Sequence, residues 1–261
     1  MFNYSFRVSD LEYFLLILTR VTLFVYAAPF FSTQNVPQRI KIGISVFLSL
    51  LIFRFVMPHQ ALEYHTVLGY SILVIREAIC GVLIGFSANV MLYATQLAGT
   101  LIDMDIGLSM VQMFDPVMRV QTGFTGSVYQ YGMLLILMIS GMEHFIIRAL
   151  VDAFSLIPVG HVEFHMDGML DVMLRVINNI MQIGFRIFLP IFAAMLLLNA
   201  VLGILAKVAP QMNMFTVGIQ IKILVGLGVL MLTIGMLPTI AELVFDMMRV
   251  LVTDIVETMT G

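Results

Sequence analysis

The sequence has no tryptophan and a single cysteine, Cys80. One thiol makes no internal disulfide, and without a CxxC pair it supplies no thiolate metal site. In its apolar surroundings Cys80 reads as a small hydrophobe. Any interfacial aromatic belt rests on the eight tyrosines. Charge is equally scarce: Asp, Glu, Lys and Arg make up 11% of 261 residues, where soluble domains carry roughly 25%. A soluble globule of this length exposes about 11,000 Å². So few charges would leave one per roughly 400 Å², the area of a whole tolerated apolar patch. A water-soluble monomer is thereby excluded. An apolar share of 61% excludes a disordered chain, and a net charge of −3 argues against nucleic acid as a partner. Nucleotide cradles of the GxxxxGKS/T or GxGxxG type are missing, as are GxSxG and HExxH. With no acid–base or nucleophilic constellation, the sequence reads as non-enzymatic and without a cofactor.

What is present is apolar length. Six runs stand out, near Leu11–Phe31, Ile40–Met57, Thr66–Ala98, Ser127–Leu150, Val172–Ala206 and Val217–Val250. Each offers the roughly 20 residues that cross a hydrocarbon core. Three are longer than one crossing needs, so they tilt, kink or protrude. Prolines 37, 58, 116, 158 and 210 mark boundaries, while Pro190 lies inside the fifth run and predicts a kink. The first run could be mistaken for a cleaved leader, but Asp10 and Glu12 flank it and Arg20 interrupts it, so a retained helix is expected. The fold class expected is all-α and membrane-type, with about six long hydrophobic helices. Met is abundant, at 22 residues, which suits surfaces that repack. Gly81-x-x-x-Gly85 has the spacing that lets two helix backbones approach.

Charge at membrane depth is costly, at about 2.5–3.5 kcal/mol per Arg or Asp on insertion scales. Arg20, Arg76, Glu77, Glu143, Arg148, Arg175 and Arg186 nevertheless lie in or near the runs. In the fifth run Arg175, Asn178, Asn179, Gln182 and Arg186 recur at helical spacing and form one polar stripe. Facing lipid it would go unsatisfied. It is either a seam inside the chain or a face for another subunit or an aqueous path. The connection Thr100–Phe124 is also unusual. Asp103, Asp105, Gly107 and Asp115-Pro116 are breaking signals, yet Met104, Met110, Met113, Phe114 and Met118 are interspersed with them. It reads as an interfacial segment tucked against the bundle or as a re-entrant segment filling a pore. His161 and His165 flank Glu163, but with no third histidine nearby they read as a polar outer loop rather than a metal site.

Taken together, several blocks resemble the FliR family of flagellar export-gate proteins. They are Pro29-Phe30-Phe31, then Val36-Pro37-Gln38-Arg39-Ile40-Lys41; Arg76-Glu77 with Gly81 and Gly85; Gly99; and Asp105-Ile106-Gly107-Leu108-Ser109-Met110 up to Asp115-Pro116. Leu189-Pro190 to Asn199 and Ala209-Pro210-Gln211-Met212-Asn213-Met214-Phe215 complete the series. Gln220 stands where many relatives are expected to have proline. The virulence-type secretion homologues share most of the pattern. The resemblance implies a FliP-like helical part over residues 1–165, including a plug loop at 100–124, and a FliQ-like helical hairpin over 166–261. It implies one copy of this chain in a hetero-oligomer with FliP-like and FliQ-like subunits. FlhB-like and FlhA-like proteins, exported unfolded flagellar proteins and membrane lipid are the further partners. The place implied is the bacterial inner membrane within the flagellar basal body, largely at its periplasmic side. In that setting Gly107, Met110, Met113 and Phe114 are the expected pore plug, and Arg175, Asn179, Gln182 and Arg186 the expected subunit contact. An ion-coupled secondary transporter is the alternative; it would use buried Arg and Glu as a relay, but the sequence has no repeat symmetry.

Loop charge sets the orientation. Arg39, Lys41, Lys207 and Lys222 mark the cytoplasmic end, while Asp152, Glu163, Asp167 and Asp171 mark an outer loop. The N-terminus is then outside. Single-cysteine variants Gln38→Cys and Gln211→Cys, made with Cys80→Ser, test this. A membrane-impermeant maleimide added to spheroplasts is expected to leave both unlabelled until the membrane is opened. Labelling of both from outside would reverse the orientation.

Overall fold

A computed structural model describes residues 8–33, 36–55, 62, 64, 66–108, 123–211 and 213–260. Among these residues the regular elements are nine α-helices. They are α1 (Val8–Ala27), α2 (Gln38–Phe55), α3 (Val67–Val90), α4 (Leu92–Ile106), α5 (Phe124–Ile139), α6 (Met142–Leu156), α7 (Met166–Val208), α8 (Met214–Ile234) and α9 (Leu237–Glu257). Six apolar runs become nine helices because three of the runs break. The third breaks at Met91, the fourth at Ser140-Gly141, where Gly141 takes φ 71°, and the sixth at Gly235-Met236. The fifth stays one helix of 43 residues through Pro190. By length and composition α3, α7 and α8 qualify as membrane spans, with a fourth if α5 and α6 count as one. Charge accounts for the shortfall from six: α1 holds Asp10, Glu12 and Arg20, and α2 holds Arg39, Lys41 and Arg54.

The chain forms two compact units. The first comprises Met1–Val90, Gly141–Val176 and Met247–Gly261; the second comprises Met91–Ser140 and Ile177–Asp246. In the first unit α1 packs on both α2 and α3. Its buried stripe is Tyr13, Leu16, Ile17, Arg20, Val21, Phe24 and Val25, the i, i+3, i+4 pattern of one helix face. Gly81 and Gly85 let α3 come close. A Cβ on Gly81 would overlap the Arg20 carbonyl, and one on Gly85 would lie 2.6 Å from the Phe24 oxygen. Asn89 holds the end of α1 by donating to the Ala27 carbonyl and the Ser32 hydroxyl, both at 3.1 Å.

A charged pair sits at the centre of this packing. Arg20 and Glu77 are both fully buried. Arg20 Nε donates to Glu77 Oε2 at 2.5 Å and Nη2 donates to Oε1 at 3.0 Å, a bidentate fork. The third guanidinium nitrogen, Nη1, donates to the Ile157 carbonyl at 2.9 Å. Glu77 Oε1 also accepts from the Gly160 N–H at 2.8 Å. Phe154 lies under the guanidinium, 4.4 Å from its ring centroid. The pair therefore ties α1 to α3 and both to the segment leaving α6.

Removing one partner of such a pair strands a buried charge and costs about 3–5 kcal/mol, whereas replacing both with apolar groups is far milder. Cys80, fully buried beside it, is a built-in reporter. In a thermal ramp with a thiol-reactive fluorogenic dye, Glu77→Leu is expected to unmask Cys80 on the order of 10 °C early. The double variant Arg20→Met with Glu77→Leu is expected to regain most of that loss. Unmasking of Glu77→Leu at the parent temperature would contradict a structural role.

Candidate functional site: a connection held at both ends

Within the second unit α4 and α5 cross, and the crossing is built on two glycines. A Cβ on Gly99 would fall on the backbone of Gly126, so Gly99 has no room for a side chain, while one on Gly126 would press on the Gln96 carbonyl at 3.3 Å. The buried face of α4 includes Thr95, Ala98, Gly99, Ile102, Asp103 and Ile106. That of α5 is Thr125, Gly126, Tyr129, Met133 and Leu137.

Asp103 is the charged residue on this face and is 1% exposed. It accepts the Thr125 N–H at 3.2 Å on Oδ1 and 3.1 Å on Oδ2, and the Thr125 hydroxyl on Oδ1 at 2.5 Å. Helix α5 starts with Gly123 as its N-cap and has no side-chain cap of its own. A carboxylate from α4 thus takes the orphan donor of the first turn and meets the positive end of the helix dipole. The fit depends on Gly123, where a Cβ would overlap the Asp103 carboxylate. Burial pushes the Asp103 carboxyl above its ordinary range, while the Thr125 hydrogen bonds oppose that rise.

At the other end α4 stops at Gly107, which takes φ 92° and returns its N–H to the Asp103 carbonyl at 3.2 Å. This is a left-handed glycine C-cap. Asp103 therefore holds both ends of the connection, through its backbone at Gly107 and its side chain at Thr125. Nearby, Ile106 fills the space above Gly226 of α8, where a Cβ would meet its side chain at 2.6 Å. Asp105 is also pushed up by burial, offset in part by the charge of Lys222. Its Oδ2 is buried and has no hydrogen-bond partner among the described residues.

Thr100–Ile106 belongs to α4 rather than to a loop, because Asp103 is satisfied on the core face and does not break the helix. Gly107 closes that helix, while Met110, Met113 and Phe114 lie outside the described residues. The stripe residues Asn178, Gln182 and Arg186 are exposed and Asn179 is half-buried. They flank a buried apolar line through Val172, Val176, Ile183, Ile187, Ile191 and Met195. Arg175 leaves the stripe to pair with Asp254 at 3.3 Å. Arg39 and Lys41 lie in the first turn of α2 and Lys207 in the last turn of α7, whereas Lys222 is within α8. Lys41 donates to the Thr33 carbonyl at 3.4 Å and lies over the Tyr26 ring. Asp152 and Asp171, read as loop residues, belong to α6 and α7. His161 and His165 place Nδ1 near the Val159 and Thr258 carbonyls, respectively. No group of three metal-binding side chains forms among the described residues.

Two arrangements go beyond the sequence pattern. Arg20 and Glu77 read singly as charges out of place, and the signal for pairing them is opposite sign in apolar runs that pack together. Asp103 has the local signature of a helix breaker, and its partnership with Thr125 has no local signal.

Span-length apolar helices, glycine-lined crossings and buried polar ties define a membrane-type all-α protein. Residues 11–248 match the bacterial export proteins, family 1, and the chain belongs to that family. It is 29% identical over 237 residues to the flagellar biosynthetic protein FliR of Bacillus subtilis, covering 90% of each chain. With the Pectobacterium carotovorum protein of that name it shares 29% over 264 residues, covering 100% of this chain and 98% of the relative. The Escherichia coli protein of that name is 25% identical over 243 residues, covering 92% and 90%.

The clamp predicts a graded series. Asp103→Leu leaves the Thr125 N–H buried and unmatched, at a cost of about 1–3 kcal/mol. Asp103→Asn keeps an acceptor, and a neutral group suits a carboxyl that burial already holds high, so it is expected to be milder. Arg119 is the only Lys or Arg in residues 107–123. Trypsin nicking there is expected to quicken in the order parent, Asp103→Asn, Asp103→Leu, with Gly123→Ala close to the last. Equal rates throughout would mean that the two ends are held by other means.

Proposed function

We propose that the chain is a non-enzymatic subunit of the flagellar type III protein export gate, where it helps to form and plug the protein-conducting pore. The family match from residue 11 to residue 248 carries this reading, because it spans both units. The relatives above are all flagellar biosynthetic proteins. The exposed surface supports it as well. Leu170, Leu174, Ile177, Met181 and Phe185 of α7 are exposed, and they share the helix surface with Asn178 and Gln182. Apolar and amide groups together suit a protein neighbour better than pure lipid. The proposed gate holds one copy of this chain with FliP-like and FliQ-like subunits. Residues 1–165 act as the FliP-like part and 166–261 as the FliQ-like hairpin. FlhB-like and FlhA-like proteins adjoin it, and unfolded flagellar proteins pass through. Its place is the inner membrane within the basal body, largely toward the periplasm, with Arg39, Lys41, Lys207 and Lys222 toward the cytoplasm. The family match lends no support to an ion-coupled transporter.

The plug is assigned to the connection that Asp103 holds, with Gly107 as its pivot and Met110, Met113 and Phe114 as its seal. A protein-sized pore in an energised membrane has to exclude ions at rest. Bulky apolar side chains do this by dewetting, and methionine repacks at low cost when cargo arrives. The test substitutes serine at Met110, Met113 and Phe114 together, which spares the clamp. Native mass spectrometry first establishes that parent and variant both join a large assembly of unequal composition; a lone chain or a symmetric dimer would overturn the subunit reading. Conductance across planar bilayers is then compared, and the assembled variant is expected to leak. An assembled variant as tight as the parent would place the seal elsewhere.

A further inference from the structure

A cleft of about 370 Å³ opens in the second unit where α7 carries Pro190 and the α8–α9 pair breaks. Tyr129, Arg186, Pro190, Thr233, Ile240 and Leu243 line it. Arg186 is its cation, and no Asp or Glu is among the lining residues. Arg186 is exposed and has no hydrogen bond or ion pair to any described residue. Proline at 190 offers no N–H to the Arg186 carbonyl one turn earlier, so a second polar group there also lacks its helical partner. Tyr129 brings its hydroxyl to 3.4 Å from that of Thr233. Thr239 adds a second threonine, and Ile187, Met236, Ile240 and Leu243 make up the apolar side of the lining.

The register of α7 says what lies at this level. Ile187 to Ala206 carries no charge, and Arg186 and Lys207 bracket it. Those roughly 20 residues rise about 30 Å, one hydrocarbon thickness. On the other side of Arg186 come Gln182, Asn179, Asn178, Arg175 and Asp171, which belong in water or protein. Helix α8, the second arm, ends at Ile234, and Thr233 and Met236 line the same cleft as Arg186. The cleft thus coincides with the edge of the hydrocarbon, the depth of lipid phosphates, where tyrosine also concentrates.

We infer that this cleft binds a membrane phospholipid, with its phosphate on Arg186 and an acyl chain against Ile240 and Leu243. The charges are complementary: a guanidinium with no partner among the described residues, no carboxylate among the lining residues, and an apolar floor leading toward the hydrocarbon. The free Arg186 carbonyl accepts a headgroup hydroxyl or ammonium. This assignment separates Arg186 from the rest of the stripe. Asn178, Asn179 and Gln182 remain for a protein neighbour, and Arg186 marks where the bilayer begins. The site stands whether or not the plug assignment holds.

The test uses the full chain, delipidated in mild detergent and titrated with phosphatidylglycerol under native mass spectrometry. One adduct that survives collisional activation is expected. Arg186→Gln is expected to lower its occupancy about fivefold or more, and Arg186→Lys to retain most of it. Ile240→Trp, which fills the cleft without touching charge, is expected to lower it too. Arg39→Gln, at an exposed cation elsewhere, is expected to leave it unchanged. Circular dichroism checks that each variant keeps its helicity. Equal occupancy in parent and Arg186→Gln, or an equal loss in Arg39→Gln, would overturn the site. Displacement by excess inorganic phosphate would show a free-anion site instead. In the assembled complex, zero-length crosslinking of Arg186→Lys to a neighbour's carboxylate, with no lipid retained, would show that a protein acid fills the cleft.

Discussion

A guanidinium without access to solvent has to be neutralised where it stands, and the first unit is organised around that requirement. Arg20 directs three nitrogens at acceptors: two go to Glu77 and one to the Ile157 carbonyl. Glu77 in turn takes the Gly160 N–H. Every group in the set needs another segment at a fixed distance, so α1, α3 and the chain after α6 cannot shift independently. Apolar packing alone is non-directional and would tolerate sliding in a helix as uniformly apolar as α3. The buried fork converts that packing into a register. Gly81 and Gly85 belong to the same solution, because they bring α3 onto the backbone of α1 at Arg20 and Phe24.

The second unit meets the same requirement with a single carboxylate. Asp103 is buried with no cation partner among the described residues; it is satisfied by the first turn of α5, whose N–H groups need an acceptor in any case. One residue therefore terminates α4 and starts α5. Tied in this way, the end of α4 and the start of α5 keep a fixed separation, and the close approach at Gly99 holds the two helices together along the same face.

Composition made the fold class legible: apolar runs of span length, at 11% charge, permit little except membrane-type helices. The number of helices was less legible. Hydropathy does not change at Met91, at Ser140-Gly141 or at Gly235-Met236, so runs that look continuous hide breaks of geometry. Pro190 shows the converse, since its segment remains one helix. The polar stripe was visible because 3.6-residue periodicity is local, and Gly81-x-x-x-Gly85 for the same reason. Pairings across the chain were not visible. Glu77 is 57 residues from Arg20 and Thr125 is 22 from Asp103. Nothing near Asp103 distinguishes a breaker from a cap supplied to another helix. The family likeness was legible because its blocks recur in order along nearly the whole chain.

The length of α7 carries a constraint of its own. Forty-three residues rise roughly 65 Å, about twice a hydrocarbon core. No tilt within the usual range hides such a rod in one bilayer. Part of it stands outside, and its sequence shows which part, since the charged residues and the amide cluster Asn178, Asn179 and Gln182 lie up to Arg186 and the uncharged stretch Ile187–Ala206 follows. A chain that needed only a membrane anchor would stop or turn at that boundary. Here the helix continues through it, with Pro190 a single turn inside the apolar half. The two halves thus belong to one continuous helix although they meet different surroundings. Lipid can cover the far half, but only protein or water can cover Asn178, Asn179 and Gln182. An assembly that rises out of the bilayer supplies both, so the proposed gate and the proposed lipid site are two consequences of the same excess length.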